Sequence, residues 1–119
     1  MMDAQELANR IIAIIEELDG AYRAEETANE AYAVAEETVK LKRAKTLLTR
    51  KAENGKLTGP ELEALATVDA HEDRMEAIQA ETKAKRAEHD CRKLDKELMA
   101  MQTLYAMEKV RLERGVDFK

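Results

Sequence analysis

Apolar residues recur along this chain at alternating steps of three and four, the period of a helix that buries one stripe. The first series runs Leu7, Ile11, Ile14, Leu18, Ala21, Ala28, Tyr32, Ala35 and Val39, with Glu25 as its one polar member. Beyond Val39 it is expected to drift onto Leu41, Ala44 and Leu48. The second series runs Ala66, Ala70, Ala77, Ala80, Ala84, Ala87, Cys91, Leu94, Leu98, Met101 and Tyr105, with Asp73 the exception. Leu65, Val68, Met75 and Ile78 widen its face near the start. Two helices are predicted, over about 3–54 and 60–114, each roughly 75 Å long at 1.5 Å per residue.

Their ends carry matching chemistry. Asp3 and Glu6 form a capping-box pattern at the first start. Asn54-Gly55 is expected to stop that helix in a left-handed conformation, within a turn over residues 55–59. Thr58 and Glu61 make a second capping box, and Pro60 sits in the first turn, where a missing amide hydrogen does no harm. Gly115 is expected to end the second helix, with Val116 folding back on Val110. Gly20 lies inside the first helix. The apolar steps keep phase across it, which argues for a continuous helix, with a bend there as the alternative.

A short connection makes antiparallel neighbours, so the predicted fold is a single all-α domain over residues 1–119. It is a long antiparallel helical hairpin, coiled-coil-like, assembling into a dimer or larger bundle. Charge supports the hairpin: residues 1–38 carry a net −8, 39–58 a net +6, 59–82 a net −6 and 83–119 a net +3. Folding at the turn sets +6 beside −6 and −8 beside +3. Exposed pairs contribute only ~0 to 1 kcal/mol each, so the pattern selects orientation more than it stabilises.

Composition narrows the function. With 38% charged and 3% aromatic residues, the 119-residue chain has material for closely packed helices and not for a thick core. A net charge of −5 argues against indiscriminate polyanion binding. The single Cys91 cannot pair internally, as in a reducing compartment. No segment approaches the ~20 apolar residues of a membrane span, and MMDAQEL lacks a signal core. These features predict a cytoplasmic protein without membrane contact.

The apolar runs IIAII at 11–15 and LMAMQTLYAM at 98–107 are broader than one partner helix can cover. Ile11, Ile12, Ile14, Ile15, Leu18, Leu98, Met99, Met101, Leu104, Tyr105 and Met107 are therefore the candidate surface for a second copy or another protein. Ile12, Ile15, Met99, Leu104 and Met107 are expected on its outer side. The competing arrangement is a segment folded back at Gly20 that hides them. Lys40, Lys42, Arg43, Lys45, Arg50 and Lys51, extended by Lys83, Lys85 and Arg86, form the candidate nucleic-acid contact. No aromatic residues interleave to stack bases, and Glu63, Asp69, Glu72 and Asp73 are expected across the hairpin, so an internally paired face is the stronger reading.

His71, His89 and Cys91 lack the i, i+3 or i+4 partners that a metal site on a helix needs. Cys91 falls in the apolar series and reads as a core residue. There is no glycine-rich phosphate loop and no nucleophile elbow. The reading is a non-enzymatic protein with no metal, cofactor or small-molecule substrate.

The segments ANRIIAIIEELDGAYRAEETANEAYAVAEE, LKRAKTLLTRKAENGKLTGPELEALATVDA and LDKELMAMQTLYAM together resemble small helical proteins of tailed bacteriophages, encoded among recombination and replication genes. The resemblance implies an accessory protein in the host cytoplasm, acting in DNA metabolism or against a host protein, with no catalytic residues to carry over. The expected function is protein binding and self-association in that setting. Its alternatives are a nucleic-acid-binding accessory using residues 40–51 and an acidic inhibitor of a host DNA-binding or defence protein.

Overall fold

The structure, a computed structural model, describes residues 2–117, with side chains through residue 114. It is all-helical, 93% helix, with no strand among the described residues. Helix α1 spans Ala4–Glu53, α2 Gly59–Asp69 and α3 His71–Asp117. None of them is long and apolar enough to cross a membrane.

Asp3 caps α1: its Oδ1 accepts from the Glu6 amide at 2.8 Å and its carbonyl from the Leu7 amide at 2.9 Å. The helix continues through Gly20, so no segment folds back there. Its far end departs from expectation. Neither Asn54 nor Gly55 takes a positive φ. Instead the Asn54 side chain accepts from the Lys56 amide at 3.1 Å, and the Leu57 amide donates to the Asn54 carbonyl at 3.3 Å. An asparagine that turns the chain with its own side chain removes the need for a left-handed residue. Thr58 then caps α2 in extended geometry, its hydroxyl accepting from the Glu61 amide at 3.3 Å, with Pro60 in the first turn.

The single second helix expected over 60–114 is interrupted at Ala70, whose φ of −92° and ψ of 5° leave the helical region. Thr67, Val68, Asp69 and His71 around it are all modest helix formers. The Thr67 hydroxyl also back-bonds to the Glu63 carbonyl at 2.9 Å, a contact that bends helices. The ladder is bridged by Ala70 N–H to Ala66 at 3.0 Å and Arg74 N–H to Ala70 at 2.8 Å. At the other end α3 runs through Gly115 to Asp117. The expected contact of Val116 on Val110 lies outside the described side chains.

Contacts divide the chain into two compact units, Met1–Glu25 with Ala87–Lys119, and Glu26–Arg86. In the second unit, Val39, Ala70 and Ala77 form the core with Ala35 against it, and Ala66 and Ala84 are also buried. Tyr32 reaches Glu81 while Arg50 reaches Asp69, so partner numbers fall as α1 numbers rise and the pairing is antiparallel. In the first unit, Leu7, Ile14, Leu18 and Cys91 are buried. Tyr22 donates to Asp95 at 2.8 Å and Arg10 pairs with Glu97, again antiparallel. Apart from Leu7, Ile14, Leu18 and Val39, every buried apolar residue among the described residues is alanine or cysteine. Full burial of an Ile14-sized side chain contributes ~1.5 to 3 kcal/mol, whereas an alanine methyl contributes less than ~1 kcal/mol and serves mainly to let helices approach closely.

Two further expectations are corrected. The inward face of α1 beyond Val39 is not Leu41, Ala44 and Leu48: Leu41 and Leu48 are 69% and 74% exposed, while Thr46 is buried and Arg43, Leu47 and Arg50 are half-buried. The inner stripe keeps its phase because the facing alanines reward regular approach, and the leucines follow a different stripe. The charge blocks meet as expected in the second unit, through Arg43–Glu63 at 2.5 Å and Arg50–Asp69 at 3.5 Å. In the first unit the ion pair between helices, Arg10–Glu97, has the opposite sense, its cation coming from the acidic segment.

A Cβ added to Gly20 meets no atom within 4 Å. Gly20→Ala is expected to raise stability by ~1 kcal/mol, the difference in helix propensity, read as a higher urea midpoint by circular dichroism. A lower midpoint would mean that α1 needs the glycine.

Candidate interaction site

The first unit presents two kinds of apolar residue. Ile14 and Leu18, 0% and 6% exposed, are consumed within the chain and leave the candidate surface. Ile11, Leu98, Met101 and Tyr105 are half-buried. Ile12, Ile15, Met99, Leu104 and Met107 stand outside, as their positions between the inner steps require. The expected surface thus separates into an inner row that joins α1 to α3 and an outer row that meets solvent.

The outer row leads into a groove of about 420 Å³ lined by Met2, Leu7, Leu104, Met107, Glu108 and Arg111. A second hollow of about 490 Å³ is lined by Ala106, Met107, Val110, Arg111 and Arg114. Glu108 is 8% exposed, a buried charge in apolar surroundings. Arg111 donates to it through Nε at 3.0 Å and through its terminal nitrogen at 2.5 Å. That hydrogen bond holds the Glu108 carboxyl below its ordinary value against the opposing effect of burial. The Arg111 guanidinium is itself raised, chiefly by the same contact. Glu108 was not among the expected residues, although continuing the inner series from Met101 and Tyr105 by three more residues lands on it. The groove can hold an apolar side chain beside a fixed ion pair, and it offers no nucleophile.

Polar ties flank this surface. Arg10 spans Glu97 and Glu17, the latter at 3.3 Å, and the Glu97 hydrogen bond is the main cause of its raised pKa. Tyr22 is raised as well, first by donating to Asp95. In the second unit Tyr32 is pushed up to about 12, first by its hydrogen bond to Glu36.

The basic residues do not form one open strip. Arg43 and Arg50 are held by Glu63 and Asp69, Lys40 sits 3.5 Å from Glu37, and Lys85 sits 2.8 Å from Glu81. Lys42, Lys45 and Arg50 share a hollow of about 330 Å³ with Glu53 and Asp69. Lys51, Lys83 and Arg86 are exposed. A surface that mixes signs in this way offers a phosphate backbone little uniform potential.

Among the described residues no group of histidine, cysteine and carboxylate side chains could hold a metal ion. His71 and His89 are exposed on α3. Cys91 is 3% exposed, and its thiol is pushed up to about 11, first by burial and then by the neighbouring Glu25 carboxylate. Comparison with family models, with curated proteins and with solved structures finds no match to this chain.

A thiol with a pKa of about 11 is ionised in roughly one molecule in a thousand at pH 8. A disulfide reagent should therefore modify Cys91 only as fast as the chain unfolds, and rapidly in denaturant. Equal rates with and without denaturant would contradict the burial.

Proposed function

We propose that this chain is a non-enzymatic accessory protein that acts by binding protein, in the first place a second copy of itself, through the outer apolar row of its first unit. The observation that carries this reading is the exposure of Ile12, Ile15, Met99 and Met107, at 57%, 51%, 67% and 63%. These residues lie on a unit whose large buried apolar side chains are only Leu7, Ile14 and Leu18 among the described residues. At ~25 cal/mol per Å², side chains of this size left in water are a strong incentive for association. A dimer or higher helical bundle would cover them without any change in the helices.

The resemblance to phage accessory proteins supplies the setting, DNA recombination or replication in the cytoplasm of a bacterial host. The mixed charge around Lys42, Lys45 and Arg50 favours contact with a protein in that setting over direct contact with DNA.

Sedimentation at tens of micromolar should give a species larger than a monomer. Met99→Glu with Met107→Glu, both at exposed helical sites, should weaken association while leaving helicity unchanged, because each copy would bring carboxylates into the joint surface. A wild-type chain that sediments as a monomer at that concentration, or a variant that associates as tightly as the wild type, would remove the proposal.

A further inference from the structure

The leucines that leave the inner stripe of α1 belong to a second one. Val34, Leu41 and Leu48 follow one another at intervals of seven residues and are 66%, 69% and 74% exposed. Seven residues return a helix to nearly the same direction, so the three side chains stand in one row. Thr38 and Lys45 occupy the intermediate steps, completing a heptad seam of alternating four- and three-residue spacing. The Thr38 hydroxyl donates back to the Val34 carbonyl at 2.9 Å, so its hydrogen bond is made within its own helix. Nothing in the second unit covers this row.

Its charge shows what could cover it. Between residues 26 and 37, α1 carries Glu26, Glu30, Glu36 and Glu37 and no cation. Between 40 and 51 it carries Lys40, Lys42, Arg43, Lys45, Arg50 and Lys51 and no carboxylate. Leu41 is the midpoint of the apolar row, with Val34 and Leu48 equally distant on either side, and the change of charge sign falls close by, between Glu37 and Lys40. Laid antiparallel on a copy of itself about Leu41, the seam sets Val34 against Leu48 of the second copy, Glu37 level with Lys45, and Glu30 within one residue of Lys51, while Lys40 and Lys42 come level beside the axis. Each of these contacts occurs twice, as a two-fold interface requires. A parallel copy would place glutamate on glutamate and lysine on lysine along the whole face. The two arginines of the basic half are already engaged by Glu63 and Asp69 within the chain. Lys45 and Lys51 are thereby left for the copy, and the exposed Lys40–Glu37 pair at 3.5 Å is loose enough to exchange.

We propose that the outer face of α1 over residues 34–48 is a homotypic docking surface, occupied by a second copy of this chain running antiparallel with Leu41 on the two-fold axis. The surface lies within the second unit and does not depend on the apolar row of the first.

Cysteine cross-linking tests it in the full chain, in a Cys91→Ala, Met107→Glu background that separates it from association through the first unit. Under mild oxidation Leu41→Cys should give a linked dimer as the main product. Val34→Cys should link little by itself and efficiently when mixed with Leu48→Cys. Ala33→Cys, exposed but off the seam, serves as the control. In the chain carrying Met107→Glu, Glu37→Lys or Lys45→Glu alone should weaken dimer formation by roughly two- to thirtyfold, the effect of two symmetric exposed pairs, and the double exchange should restore it. Linking of Leu41→Cys no better than the control, self-linking of Val34→Cys in preference to the mixture, or a double exchange as weak as the single ones would each overturn the proposal.

Discussion

The fold depends on how closely α1 can approach the alanine-lined face of α2 and α3. Ala66, Ala70, Ala77 and Ala84 are each buried to 6% exposure or less. They add little transfer free energy themselves, so their effect is steric: small side chains at most inner steps let two backbones come together and hold them in a fixed phase. That phase decides the rest. It turns Thr46 inward and Leu41 and Leu48 outward, and it leaves the first unit, where the larger Leu7, Ile14 and Leu18 are buried, with a surplus of apolar side chains on its outer row.

Polar contacts refine the arrangement that packing sets. Arg10 with Glu97 and Tyr22 with Asp95 tie the helices of the first unit, while Arg43 with Glu63 and Arg50 with Asp69 tie those of the second. These side chains keep partial contact with solvent, so each tie contributes little to stability and more to register. Glu108 is different. Its carboxylate is buried beside Leu7, Leu104 and Met107, and the Arg111 hydrogen bond favours its charged form there. A core this thin leaves apolar side chains on the outer rows of both units, among them Ile12, Met99, Leu41 and Leu48.

Much of this was legible in the residues. The inner steps from Leu7 to Val39 and from Ala66 to Tyr105 follow the helical period and are buried or half-buried without exception. The caps at Asp3 and Thr58 use the chemistry their residue types prescribe. Past Val39 the pattern misled, because leucines are more hydrophobic than Thr46 and the period alone cannot say which of two stripes faces the alanines. The break at Ala70 was hidden because alanine is the best helix former, and the weakness lies in its neighbours. Glu108 was missed because a carboxylate at an inner step reads as the end of a series. The Arg10–Glu97 pair ran against the block charges, which average over many residues where a contact needs only two.

The same substitution at two alanines tests the central claim most directly. Ala77 is 5% exposed at the tight inner face, and Ala33 is exposed on α1. If close approach of the helices governs the fold, Ala77→Leu should lower unfolding free energy by ~1 to 3 kcal/mol through overpacking, whereas Ala33→Leu should change it by less than ~0.5 kcal/mol. Equal tolerance of leucine at both positions, measured by urea denaturation, would contradict the account.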